Sequence, residues 1–339
     1  LTDVTGVQTC ALPICAREPE RNLLDFALYV AYFPQLVAGP IERATHLLPR
    51  LQQPRPVTRE DVRIAFLWIL LGYAKKIVMA DTLAPMVHNI FGAPERFTAL
   101  PLLAGALGFA LQVYGDVRGY MLIARGVSRL FGVDLAGNFL RPYLALSPRD
   151  FWRRWHTSLS SWFRDYLYIP LGGSRHGPWR TARNLMLTML LGGLWHGAGW
   201  TFVLWGGYHG LLLVLCHFLL GRGAEASWRG GKRVAAVAVT FVLTLGGWVL
   251  FRVRDLQGFA AYLHGLTVFE FTPLAASYLV PVLTFGLPLA AYHVWQEMAG
   301  DELVLLRARP SVRLSVYVFL FLMLAVCESK RIPFIYFQF

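Results

Sequence analysis

Residues 184–221 read NLMLTMLLGGLWHGAGWTFVLWGGYHGLLLVLCHFLLG, thirty-eight consecutive positions without an Asp, Glu, Lys or Arg. One continuous helix of that length would measure about 57 Å, roughly twice the 30 Å hydrocarbon core of a bilayer. The run must therefore break. Glycines mark the candidate places: Gly192-Gly193, Gly197, Gly199 and Gly206-Gly207. His196 sits among them, midway along the run. Irregular backbone at membrane depth is tolerated only where protein or water surrounds it, so His196 is expected to face an internal cavity.

Similar uncharged runs recur along the chain. Residues 97–115, 234–251 and 271–296 give 19, 18 and 26 positions, and shorter runs occupy 26–41, 64–74 and 314–327. The 339 residues are 56% hydrophobic and 15% charged, against about 25% charged in a soluble domain. These features predict an all-α polytopic membrane protein with seven to ten embedded segments, some short or broken. Spanning segments must satisfy their own backbone hydrogen bonds, and no repeat or linker divides the chain. The stretches 52–60 (QQPRPVTRE, with a helix start at Thr58) and 221–233 (GRGAEASWRGGKR) punctuate the embedded segments.

The net charge is +12. Its cations lie in loops between apolar runs, which is how membrane proteins set orientation. No nucleic-acid partner is expected. Seven arginines against two aspartates between Ser147 and Arg183 predict a cytoplasmic or interfacial loop. Cys10, Cys15, Cys216 and Cys327 have neither zinc-type spacing nor a disulfide framework. The first fifteen residues, LTDVTGVQTCALPIC, lack the basic start of a signal peptide. They resemble a translated sequencing adapter, so residues 1–15 are expected to be non-native and 16–339 to form one membrane domain.

A second stretch carries chemistry. Residues 147–166 read SPRDFWRRWHTSLSSWFRDY. Ser147, Pro148 and Asp150 make a helix start. Trp152, Trp155, Leu159, Trp162, Phe163 and Tyr166 then fall at helical spacing, which predicts one amphipathic helix. His156 lies at the boundary of its faces. The pattern alone fits an interfacial helix as well as the wall of a site. Among nine histidines, His46 and His176 lie in polar loops, while His88, His217, His264 and His293 adjoin apolar runs without a polar cluster. His209, thirteen positions after His196, lies well round the helix from it and suits packing or support.

No third or fourth ligand is convincingly spaced for a metal. No G-x-S-x-G, Walker or dinucleotide signature is present. General base catalysis by histidine is the remaining chemistry, because an ordinary imidazole pKa near 6.5 suits proton abstraction at neutral pH.

Four stretches resemble the membrane-bound O-acyltransferases, and within them the bacterial alginate O-acetylation branch. They are YFPQLVAGPIER (32–43), DFWRRWHTSLSSWFRDYLYIPLGGSR (150–175), the run at 184–210, and the terminal PFIYFQF. The resemblance covers nearly all of 16–339, and family members carry further N-terminal spans, so the chain looks like their C-terminal two-thirds. It implies broken and re-entrant helices around a central funnel or tunnel. His196 matches the family's near-universal histidine, the presumed base, and His156 its second polar position. Trp155, Arg153, Arg154, Trp195, Tyr208 and His209 are candidates to line the substrate path, the arginines by attracting an anionic donor. The resemblance further implies acetyl-CoA or another acyl thioester as donor, no bound cofactor, a polysaccharide acceptor, a periplasmic acetyltransferase partner and the bacterial inner membrane. The alternatives are D-alanyl or other acyl transfer to an envelope polymer, or a non-enzymatic transporter with similar broken helices. One stretch departs from the family pattern. Where the family resembles DFSGYSDMAIG, residues 116–126 read DVRGYMLIARG, with Met121 and Leu122 replacing a serine and an aspartate and with Arg118 and Arg125 added.

Overall fold

The 38-residue run folds as a helical hairpin that breaks at Gly197–Gly199. In this computed structural model residues 20–36, 38–221 and 223–327 are described. The stretch 1–15, with Cys10 and Cys15, and the terminal PFIYFQF lie outside them. In chain order the α-helices are α1 (Leu23–Ala31), α2 (Ala44–Gln52), α3 (Arg59–Tyr73), α4 (Thr82–Gly92), α5 (Ala99–Leu130), α6 (Pro148–Arg154), α7 (Thr157–Phe163), α8 (Pro178–His196), α9 (Trp200–Leu219), α10 (Gly230–Arg252), α11 (Leu256–Gly265), α12 (Pro273–Ser277), α13 (Leu279–Ala299), α14 (Val304–Arg307) and α15 (Pro310–Val326). A π-helical stretch, Ala74–Asp81, joins α3 to α4. Every regular element among the described residues is helical.

Among the described residues four helices are long and apolar enough to cross a membrane: Ala99–Leu130, Trp200–Leu219, Gly230–Arg252 and the stretch Pro273–Ala299. Pro310–Val326 is apolar but shorter. The seven to ten embedded segments expected include short and broken ones, which fall outside these four. Two of the shorter runs show why. The run at 26–41 ends its helix at Ala31, just before Pro34. The run at 64–74 passes into the π-helical stretch, where Lys75 and Lys76 end the apolar pattern.

Helix α5 is the central element. At 1.5 Å per residue its 32 residues extend about 48 Å. Its apolar half carries Phe109, Val113, Tyr114 and Val117 into the main core, where they meet Trp155, Trp205, Trp248 and Phe251 from α6–α10. Its distal third carries Arg118, Arg125 and Arg129.

Helices α8 and α9 pack closely. A Cβ on Gly193 would collide with the carbonyl oxygen of Phe202, and one on Gly206 with that of Met189. Of the glycines that could have broken the run, Gly192-Gly193 and Gly206-Gly207 stay helical. The small residues at Gly193 and Gly206 let the two backbones touch, as at other membrane helix interfaces. Only the Gly197–Gly199 segment turns the chain.

The predicted helix start at Thr58 is present as a full capping box. The Thr58 hydroxyl accepts from the Asp61 backbone N–H at 3.2 Å, and Asp61 accepts from the Thr58 N–H at 2.9 Å. Arg55 grips the same carboxylate through two bonds of 2.6 and 2.8 Å, and Arg129 of α5 adds a third of 2.9 Å. The Arg55 bonds first, and those of Thr58 next, hold the Asp61 pKa well below the usual carboxylate range.

Two predictions follow from this packing and capping. Gly206→Leu should push α9 off α8 and destabilise the protein by about 1–3 kcal/mol, read as a lower unfolding midpoint in detergent. Because its native pKa is depressed, Asp61 contributes its full stability above the unfolded value of about 3.9 and loses it as pH falls below that. Asp61→Asn should therefore lower the midpoint at pH 7 and flatten its fall in acid.

Candidate active site

The segment carrying His156 is two helices, not the one predicted from its apolar spacing. Helix α6 ends at Arg154, Trp155 is extended, and His156 takes φ 42° and ψ 56° before α7 begins at Thr157. A left-handed non-glycine residue of this kind costs about 1–3 kcal/mol and persists only where its surroundings over-determine it. The surroundings here can be named. Asn138, wholly buried, accepts the Thr157 N–H on its backbone oxygen at 2.9 Å and the Ser158 N–H on Oδ1 at 2.8 Å, so it caps α7. The Ser158 hydroxyl in turn accepts the Ile41 N–H at 3.0 Å. Ser147 caps α6 through the Asp150 N–H, but the Asp150 carboxylate accepts from Leu146 N, so the reciprocal half of the expected box lies one residue earlier.

The other restraint is ionic. Glu297, near the end of α13, accepts Arg141 Nε at 2.7 Å, Arg154 Nη1 at 3.2 Å and Arg233 Nη2 at 3.0 Å. Arg154 also pairs with Asp150 at 3.0 Å, and its carbonyl accepts the Leu140 N–H at 2.9 Å. Arg141 is the only other non-glycine residue with positive φ among the described residues, at 52°. One carboxylate thus fixes Arg141 directly and holds the helix immediately before His156.

His196 occupies the last position of α8, half-buried, with the break beginning at Gly197. Its ring meets Trp195 at 5.0 Å, Trp205 at 5.1 Å and Phe251 at 5.0 Å between centroids. Trp205 is 5.0 Å from His209 and 5.7 Å from Trp152. His209 meets Trp152 at 5.1 Å and stacks on Phe151 at 6.3 Å. His156 lies against Phe139 at 5.9 Å, and Phe139 against Trp155 at 4.8 Å. The two predicted histidines therefore share one aromatic wall, within electrostatic reach of each other. Burial holds the His156 imidazole neutral, its pKa pushed down to about 4.

Five ring nitrogens in this cluster are buried without a hydrogen-bond partner among the described residues: Trp152 Nε1, His156 Nδ1, Trp205 Nε1, His209 Nδ1 and Trp248 Nε1. A buried polar atom left unpaired costs about 1–3 kcal/mol, and such groups are rare enough in native proteins to require a reason.

The remaining candidates divide. Trp155 is buried in the wall, and His209 is packed so tightly that a Cβ on Gly247 of α10 would strike its Nε2. Tyr208 donates its hydroxyl to the Leu243 carbonyl at 2.8 Å, which ties α9 to α10. Trp195 touches His196 but is 56% exposed. Arg153 is exposed, whereas Arg154 is held by Glu297 and Asp150. Two cavities lie beside the cluster. One of 840 Å³ separates α5, α10 and α13, and one of 480 Å³ separates α9 from α10. Neither is lined by His156 or His196. The larger is lined by Tyr143, whose ring is 6.1 Å from Trp155, and by His293, which is hydrogen-bonded to Tyr114 at 2.9 Å.

Sequence reasoning missed Asn138, Glu297, Trp205, Trp248 and Phe251. The uncharged run contains Trp205 in plain view, but nothing in its spacing separates a wall residue from a lipid-facing one.

Residues 19–255 match the model of the membrane-bound O-acyltransferase family, and the chain belongs to that family. It is 43% identical over 237 residues to the "Probable alginate O-acetylase AlgI" of Azotobacter vinelandii, covering 70% of this chain and 46% of that protein. It is 35% identical over 247 residues to the peptidoglycan O-acetyltransferase of Helicobacter pylori, covering 72% and 47%. To the teichoic acid D-alanyltransferase of Bacillus subtilis it is 27% identical over 260 residues, covering 69% and 61%. The chain spans about half the length of the curated relatives it matches.

Removing the common ionic anchor should be costly. Glu297→Gln leaves three guanidinium groups without their shared carboxylate. Breaking a wholly buried pair costs about 3–5 kcal/mol; with Glu297 partly solvated, a loss of about 2–3 kcal/mol is expected, measured by chemical unfolding in detergent. Glu297→Gln combined with Arg154→Met should lose less than the sum of the two single changes.

Proposed function

We propose that this chain carries the catalytic part of a membrane O-acyltransferase that moves an acetyl group from a thioester donor to hydroxyls of an exported polysaccharide. The observation that carries the reading is the shared aromatic wall, which sets His196 at a helix break and His156 at a strained one, with unpaired ring nitrogens between them. Both histidines fall at the positions where the chain resembles the family's paired polar residues.

In this reading His196 is the general base. It takes the proton of the acceptor hydroxyl as the oxygen attacks the thioester carbonyl, and returns it to the departing thiolate. Such proton transfer contributes about 10²–10⁴-fold. His156, held neutral, orients the reacting groups through a ring nitrogen. The aromatic wall excludes water, which strengthens electrostatic contacts inside the site and disfavours hydrolysis of the thioester. Acetyl-CoA, or another acyl thioester, approaches from the cytoplasmic side, where the exposed Arg153 offers positive charge. The acceptor lies on the periplasmic side of the bacterial inner membrane, reached directly or through a periplasmic acetyltransferase partner. Relatives that acetylate polysaccharide are more similar to this chain than those named for D-alanyl transfer, which favours acetyl as the group moved.

The test uses the full-length gene in its own membrane. His196→Ala should lower O-acetylation by at least about 100-fold while membrane abundance stays at the wild-type level. Acetylation retained in that variant would reject His196 as the base. His156→Ala should also lose most activity. A wild-type rate there would reduce the segment to an interfacial anchor.

A further inference from the structure

The five unpaired ring nitrogens are not chemically equivalent. The two on histidine can each donate or accept according to tautomer, but an indole Nε1–H can only donate. Trp205 and Trp248 are both fully inside the wall, at 3% exposure each, and of the three indoles it is Trp205 that stands in ring contact with His196, at 5.1 Å. Its N–H is buried and finds no acceptor among the described residues. A phenylalanine would fill an apolar wall without that unpaired donor. A donor kept in an apolar enclosure, one ring away from a base, fits the demand of acyl transfer for a group that binds developing negative charge.

We propose that the Trp205 indole N–H is the oxyanion donor of the reaction, a catalytic residue acting beside His196; this rests on the acyltransferase reading above. When the acceptor oxygen attacks, a new C–O bond forms and the carbonyl π pair moves onto the carbonyl oxygen. The hydroxyl proton passes to His196. The oxyanion accepts the Trp205 N–H. As it collapses, the carbonyl re-forms, the C–S bond breaks, and the thiolate takes the proton from His196. No oxidant, reductant or metal enters the balance. The enclosure matters to the energetics: a preorganised donor in a site shielded from water is worth far more than the same bond in solvent. Trp205 is also held rigid, packed between Trp152, His209 and Phe251 at 5.0–5.7 Å.

The decisive substitution removes one N–H and nothing else. In the full-length enzyme, Trp205 is replaced by 3-benzothienylalanine, whose sulfur stands in the place of the indole N–H with nearly the same ring shape. Turnover of an acetyl thioester donor is measured with KM and the unfolding midpoint. The proposal expects kcat to fall about 10²–10³-fold, with KM and the midpoint unchanged, and Trp205→Phe to lose at least as much. A kcat within about threefold of wild type would overturn it, since loss of an oxyanion donor costs far more. So would a fall in kcat matched by a lower midpoint and a raised KM, which is the signature of a packing role. The His196→Ala variant is assayed alongside. Wild-type transfer that depends on His196 but not on the indole N–H sinks the oxyanion assignment alone. No transfer by the wild type at all sinks the acyltransferase reading and this one with it.

Discussion

The Glu297 carboxylate is the constraint on which the site depends. It gathers Arg141, from the segment before α6, Arg154, at the end of α6, and Arg233, in the first turn of α10. Guanidinium groups lose much hydration at such a place, and only a shared, well-placed carboxylate offsets that loss. The consequence is geometric. The stretch from Arg141 to Arg154 is stapled at both ends to α13, and both strained residues of the described chain belong to or directly follow that stretch. Helix α6 therefore cannot slide, and the chain must turn sharply at Trp155 to reach the Asn138 cap of α7. The left-handed backbone at His156 is the residue of these two demands.

The aromatic wall sets the surroundings of the histidines. Trp152, Trp155, Trp205 and Phe251 surround the histidines with largely apolar surface, and neither 840 Å³ nor 480 Å³ of adjacent void is lined by those rings. Rings rather than aliphatic chains make the wall because each indole brings bulk, rigidity and one polar edge. Packing three helices this closely also needs the absence of side chains: Gly193 and Gly206 bring α8 onto α9, and Gly247 admits His209 beneath α10. The position of His196 follows from the same economy of space. Its helix ends where the closest approach of the two backbones has been achieved and the glycines can turn the chain.

Much of this was readable from residues near in sequence. The length of the uncharged run demanded a break, but glycines offered three places for it, and only Gly197–Gly199 turns the chain. Ser147, Pro148 and Thr58 announced their helices. The break at His156 was not readable, because Trp155, Leu159 and Trp162 continue the helical spacing straight across it. Period reports which face is apolar, and both short helices present the same face to the same core. What interrupts them is tertiary: a cap from Asn138 eighteen residues earlier and a carboxylate 141 residues later. The roles of the arginines were illegible for the same reason. Arg153 and Arg154 are adjacent and alike, yet one is exposed and the other is bound to Glu297.

The departure at residues 116–126 shows how such a constraint can be rebuilt. Where the resembled pattern carries a serine and an aspartate, Met121 and Leu122 are both buried in apolar clusters. The added arginines do not stand alone. Arg118 and Arg125 both approach Glu302, at 3.5 and 3.4 Å, and Arg125 also lies over the Trp68 ring at 4.1 Å. This helix face is thus ionic, anchored by Glu302 just beyond α13, while Glu297 within α13 anchors the other arginines. The cost falls on Asn138. Its Oδ1 caps α7, but its Nδ2 now has the Met121 thioether at 3.1 Å, a weak acceptor, where a serine hydroxyl would have been a better one. The amide stays correctly oriented because its other end is fixed by the Ser158 N–H and its backbone oxygen by Thr157. The strained turn at His156 is therefore held chiefly by the Asn138 cap and the Glu297 network.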